Sequence, residues 1–196
     1  VHRYQVTFRN INRKTHKMGN FKEDIALTQA LVFDVDGVFT DGGIMPLPGG
    51  DFIRKYNAKD GYAIAYAARM GYKIAVITGG RGELLRRRFA YYGVTRLYDG
   101  CTNKIATLRE FLDEFGIEAE HTVFMGDDIP DVECMRAVGI PVAPADAAPE
   151  VIEAARYVSQ FGGGKGCVRD IIEQVLRAQD KWCKDFTGFA GDIVSA

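Results

Sequence analysis

Apolar residues in this chain gather in short runs, set apart by longer stretches that mix apolar and polar positions. Leu31, Val32, Phe33 and Val35 form one run, ended by Gly37, and Lys73–Thr78 forms a second. Shorter runs follow at Arg96–Tyr98, His121–Met125, Ile140–Val142 and Tyr157–Val158. The first two, continuous and bounded by turn residues, predict strands covered on both faces, and the shorter ones predict further strands, with Tyr157–Val158 at an edge. Between them the spacing predicts helices over Asp60–Met70, about 82–92, Asn103–Phe115, about 131–138, Pro149–Ala155 and Cys167–Ala178. The third is the clearest, with Ile105, Leu108, Leu112 and Phe115 on one stripe. Asp60 is placed to cap the first of these helices, and Gly71 and Gly93 to stop the first two. Strands alternating with helices predict an α/β, Rossmann-like three-layer sandwich with a mainly parallel sheet.

The stretch after Gly37 breaks this rhythm. Gly42, Gly43 and the Pro46–Gly50 segment punctuate two strand-like pieces, Val38–Thr40 and Phe52–Tyr56. They predict a projecting β-hairpin, a flap at about 38–56. A core over 30–178 is thereby framed by an aperiodic N-terminal extension, 1–29, and a tail, 179–196, that carries Trp182, Phe186 and Phe189. Met18 is a candidate start, with 1–17 read as an upstream extension. An isolated monomer is expected to leave the three tail aromatics exposed.

Composition narrows the function. The chain has 196 residues, 47% of them hydrophobic, enough for one domain with a sizeable core. Its formal charge of −1 argues against a nucleic-acid footprint. Five basic residues fall within 1–17, leaving 20 minus 26, or −6, for the rest. Cys101, Cys134, Cys167 and Cys183 show no paired spacing, which argues against zinc or a disulfide framework and for a reducing cytoplasm. No run is long enough to span a membrane.

Right-handed crossovers would bring the C-terminal ends of the first, second and fourth strands to one rim. Asp34, Asp36, Thr78, Asp127 and Asp128 then converge, with Lys104 opening a nearby helix. The bland alternative for the first pair is a strand that ends in a polar turn. Converging carboxylates repel, and a hard divalent cation resolves that, Mg²⁺ being the usual occupant. In such a site Asp34 is placed as a nucleophile and Asp36 as the proton donor and acceptor. Thr78 and the amides of Gly79 and Gly80 would donate to phosphoryl oxygens, and Lys104 would supply charge.

Spacing and order resemble the four motifs of the haloacid dehalogenase superfamily: Asp34-Val35-Asp36-Gly37, Thr78, Lys104, and Gly126-Asp127-Asp128 with Asp131. The resemblance covers about 30–178 and implies an aspartyl-phosphate on Asp34 with Asp36 as acid and base. It implies a metal held by Asp34, the backbone carbonyl of Asp36, and Asp127, supported by Asp128 and Asp131. Neither the gap after Gly37 nor that before Lys104 has room for a cap domain. The segments 39–43, 56–61 and 163–169 resemble the capless tetrameric branch that includes 3-deoxy-D-manno-octulosonate 8-phosphate phosphatases of lipopolysaccharide precursor synthesis. That branch implies a homotetramer whose flaps join and whose C-terminal segments reach a neighbour's site. Relatives often have Arg where Lys165 stands, and the loop after Thr78 varies.

Further residues carry two readings each. Lys59 and Asp60 are a helix start or contacts to substrate hydroxyls. The loop at 162–166, with Lys165 and Arg169, is a flexible turn or an anion site at a helix N-terminus. Arg81 is a surface residue or a substrate contact, whereas Arg86, Arg87 and Arg88 read as a solvated face. Three functions remain open: phosphatase on the eight-carbon sugar acid phosphate, phosphatase on a nine-carbon sialic-type acid phosphate, or a non-catalytic tetramerisation module. Retention of every motif residue favours an enzyme.

Overall fold

A computed structural model describes residues 20–184. Six strands make one parallel sheet: β1 (Ala30–Phe33), β4 (Lys73–Thr78), β5 (Arg96–Asp99), β6 (Thr122–Met125), β7 (Ile140–Ala143) and β8 (Tyr157–Val158), ordered β5-β4-β1-β6-β7-β8. The flap is a separate antiparallel pair, β2 (Met45–Pro46) with β3 (Phe52–Ile53).

Alternation along each strand divides the core in two, since successive side chains point to opposite faces. Leu31, Phe33, Ile74, Val76, Val123 and Met125 face one way, against α2 (Ala58–Arg69), α3 (Glu83–Tyr92) and α7 (Cys167–Ala178). Val32, Ala75, Ile77 and Phe124 face the other, against α4 (Lys104–Phe115), α5 (Val132–Ala137) and α6 (Pro149–Ala154). This is the predicted three-layer arrangement, and among the described residues no cap domain interrupts it. No helix among them is long and apolar enough to cross a membrane.

Four local expectations are corrected. Val38–Thr40 is not a strand. The N–H groups of Val38, Phe39 and Thr40 all donate to the Val35 carbonyl, so the chain coils into a buried turn, and the flap pairs only through 45–46 and 52–53. Asp60 does not cap α2, because Asn57 does, accepting from the Lys59 amide. Asp60 lies wholly buried and accepts from the amides of Gly166 and Arg169, at 3.2 and 2.7 Å, thereby capping α7 from another helix. The aperiodic extension contains a short helix, α1 (Phe21–Ile25), with Phe21 stacked on Tyr157. Finally, Trp182 is buried by its own chain, against Tyr62, Tyr66 and the Arg169 guanidinium. Phe186 and Phe189, like Met18, lie outside the described residues.

Candidate active site

The site begins where β1 ends. Asp34 keeps sheet register for one more residue, its amide donating to the Met125 carbonyl at 3.0 Å, and the chain then turns sharply. Gly37 has φ +88°, and a Cβ there would sit 1.9 Å from Asp127 Oδ2. Backbone conformation and space both demand glycine, and the result is that the β1 and β6 ends meet. The turn is braced from behind by Gly163, whose missing Cβ would fall 2.1 Å from the Gly37 carbonyl.

Lys104, set at the first position of α4 by the Asn103 cap, reaches between two carboxylates. Its Nζ lies 3.1 Å from Asp34 Oδ2 and 2.7 Å from Asp131 Oδ1. The other Asp131 oxygen accepts the Asp127 amide at 3.1 Å. Asp34, Asp127 and Asp131 each offer an oxygen within 4.8 Å of the others. Three carboxylates against one lysine leave excess negative charge. Burial first, then the Asp131 charge, pushes Asp34 up to about 6 against the pull of Lys104. Burial, then the charges of Asp34 and Asp131, pushes Asp127 up to about 7. Lys104 is raised as well: burial opposes its charge, but its two carboxylate partners outweigh it.

A divalent cation fits this cluster. Asp34 Oδ1 and Asp127 Oδ1 are buried with no hydrogen-bond partner, and hard cations take carboxylate oxygens of this kind. Asp131, expected only as a supporting residue, stands in the cluster itself. Asp128 is exposed and serves the backbone instead, closing a capping box with Asp131 over the turn Ile129–Asp131.

Around this centre lies a cleft of about 870 Å³, lined among others by Asp34, Asp36, Thr78, Gly79, Gly80, Lys104 and Asp127. Thr78 is buried at the end of β4, and its Oγ1 accepts the Gly80 amide at 3.1 Å, leaving the hydroxyl hydrogen free to donate. The Gly80 amide is thus committed inside the protein, unlike the donor role expected of it.

The four remaining basic residues expected at the substrate are not among those lining the cleft. Arg81 is exposed and rests on the Gly100 turn, while Lys59 is exposed in the first turn of α2. Lys165 is exposed, 3.9 Å from Asp146. Arg169 pairs with Glu173 and covers the rings of Tyr62 and Trp182. The N-terminus of α7, expected as an anion site, already holds an anion of the protein's own, Asp60. Burial pushes the thiols of Cys134 and Cys167 up to about 12, in keeping with inert packing residues.

Sequence reasoning missed Arg54. From the flap its Nε and Nη2 grip Asp36 Oδ1 and Oδ2 at 2.7 and 3.0 Å. The available signal was the alternation of Phe52 and Arg54 along one flap strand, which puts both on one face. How far the hairpin folds back was not encoded there.

The family model for haloacid dehalogenase-like hydrolases matches residues 88–166. The 3-deoxy-D-manno-octulosonate 8-phosphate phosphatase of Escherichia coli K12 is 39% identical over 151 residues, 77% of this chain and 80% of that protein. The crystal structure of the Yersinia pestis phosphatase of the same name superposes with TM-score 0.79 at 37% identity, covering 82% of this chain and 86% of that one. A Moraxella catarrhalis counterpart, in complex with magnesium, phosphate and a KDO molecule, gives TM-score 0.78 at 26% identity over 81% and 91%. With motif residues in the expected order along the strand ends, and with relatives of this identity and coverage, the chain belongs to the haloacid dehalogenase-like hydrolases and is a phosphatase of their capless branch.

Proposed function

We propose that this phosphatase hydrolyses the phosphomonoester of a 3-deoxy-2-keto sugar acid, 3-deoxy-D-manno-octulosonate 8-phosphate, with Mg²⁺ as cofactor and Asp34 as nucleophile. The observation that carries the chemistry is the Lys104-bridged pair Asp34–Asp131 beside Asp127, with two buried oxygens left unpartnered at the cleft. The substrate rests on the names of the relatives. Mg²⁺ would be held by Asp34, Asp127 and the carbonyl of Asp36, and supplies neutralisation of phosphoryl charge.

In the first half-reaction a carboxylate oxygen of Asp34 bonds to phosphorus as the ester P–O bond breaks. Asp36 gives its proton to the departing sugar oxygen. In the second, water attacks the aspartyl-phosphate, Asp36 takes back a proton, and phosphate leaves with Asp34 restored. The Thr78 hydroxyl donates to a phosphoryl oxygen, and Lys104 holds Asp34 in place with positive charge beside it.

Three further copies of this chain would complete the assembly, as a homotetramer. Ile44, Met45 and Ile53 on the flap, with Leu84 and Tyr91 on α3, are exposed apolar side chains that a neighbour's flap would cover. Lys59, Lys165 and Arg169 would then serve a neighbouring site together with the tail. The free cysteines fit the cytoplasm. Phosphate release across eight- and nine-carbon sugar acid phosphates, with Mg²⁺ and with chelator, tests the reading, and light scattering reports the assembly. Preference for the nine-carbon ester, or full turnover in chelator, would overturn substrate or metal respectively.

A further inference from the structure

Arg54 lies on a hairpin that projects from the domain, yet its side chain is only 3% exposed. It is buried because both ends of its hairpin are tied down. At the turn, Asp51 accepts the Leu84 amide at 3.2 Å and so takes over the uncapped start of α3. At the other end the guanidinium forks onto both oxygens of Asp36. The space for that fork exists because residue 80 has no side chain. A Cβ on Gly80 would lie 2.6 Å from Arg54 Nη2 and 3.1 Å from Asp36 Oδ2. Gly80 has no left-handed φ to demand glycine, so its lack of a side chain serves the fork rather than the backbone.

We infer that Arg54 is a positioning residue, which aims the Asp36 carboxylate at the leaving oxygen through a fork that Gly80 makes room for. The inference rests on the acid and base role proposed above for Asp36. A carboxylate at the start of a tight turn has a free side-chain torsion, and it must stand within hydrogen-bond reach of the oxygen it protonates. Two parallel N–H donors remove that freedom. Each carboxylate oxygen keeps a second lone pair, so the fork orients Asp36 without blocking it.

The test separates leaving groups. An alkyl phosphate such as 3-deoxy-D-manno-octulosonate 8-phosphate needs its oxygen protonated, whereas p-nitrophenyl phosphate expels a stable anion. The value of kcat/KM reports steps up to phosphoryl transfer to Asp34. For Arg54→Ala it should fall on the order of 10²-fold for the sugar ester and far less for the aryl ester. Arg54→Lys, which keeps charge but loses the fork, should show the same selectivity. Gly80→Ala, whose Cβ would press on Arg54 Nη2 at 2.6 Å and on Asp36 Oδ2 at 3.1 Å, across the fork itself, should do likewise, and the double variant should be no worse than Arg54→Ala alone. Asp36→Asn is the control for the underlying role. If it hits both esters equally, the acid role of Asp36 fails and the inference with it. If it is selective while Arg54→Ala and Gly80→Ala are not, or if those two losses simply add, Arg54 does not position Asp36.

Discussion

Asp60 offers a prediction whose size follows from its surroundings. Its carboxylate is fully buried and accepts two amides at the start of α7, and burial pushes it up to about 6 from an ordinary 3.8. The two N–H bonds and the nearby Arg169 charge offset only part of that desolvation. The folded chain therefore keeps this proton to higher pH than the unfolded chain does. Its contribution to stability is complete at low pH and is lost as pH rises from about 4 through about 6. Linkage puts the loss at about 1 kcal/mol at pH 4.5 and about 3 kcal/mol at pH 7, a difference of about 2 kcal/mol. Asp60→Asn removes the titration and leaves a near-isosteric side chain. Its amide nitrogen cannot accept the Gly166 N–H, a pH-independent cost of roughly 1–3 kcal/mol. Urea unfolding of both proteins at pH 4.5 and pH 7 cancels every other titrating group in the difference. The variant should gain about 2 kcal/mol on the wild type between the two pH values. Equal pH dependences would show that Asp60 is not buried as a charge.

Three further expectations concern the site and the tail. Asp34→Asn should lower kcat by several orders of magnitude, as removal of a covalent nucleophile does; a beryllofluoride adduct mapped to another residue would contradict the role. Lys104→Met leaves Asp34 and Asp131 without their shared cation and should lower kcat by about 10²–10³-fold, measured as phosphate release, with a change below threefold, roughly, counting against the bridge. Trp182→Ala should destabilise the fold by about 3–5 kcal/mol, followed by circular dichroism in urea, and an unchanged midpoint would show that the tail does not pack on α2 and α7.

Much of this was readable because burial and topology write themselves locally. The inner strands of the sheet are apolar runs, and strand order then carries Asp34, Thr78 and Asp127 to one edge whatever the loops do. The bounds of α7 were legible for a similar reason, since Gly166 and the apolar stripe from Val168 to Leu176 mark a helix from within. What escaped depends on chain folding back over distance. Arg54 meets Asp36 only because a hairpin closes over the turn, and Asp60 caps a helix that begins over a hundred residues later. Val38, Phe39 and Thr40 have strand-favouring side chains, yet the Gly163 approach and the Val35 carbonyl coil them. Trp182 looked like an exposed anchor because its partners, Tyr62 and Tyr66, lie on a helix distant in sequence.

That buried indole has a practical consequence. Trp182 is the single tryptophan of the chain, so light at the red edge of aromatic absorption excites one known place. The ring sits where the tail leaves the domain, edge-on to Tyr66 and beneath the Arg169 guanidinium at 4.9 Å. Any event that lifts the tail from this seat exposes the indole to water and shifts its emission. Substrate binding or assembly that draws the tail toward a neighbour can thus be followed in real time, without a label.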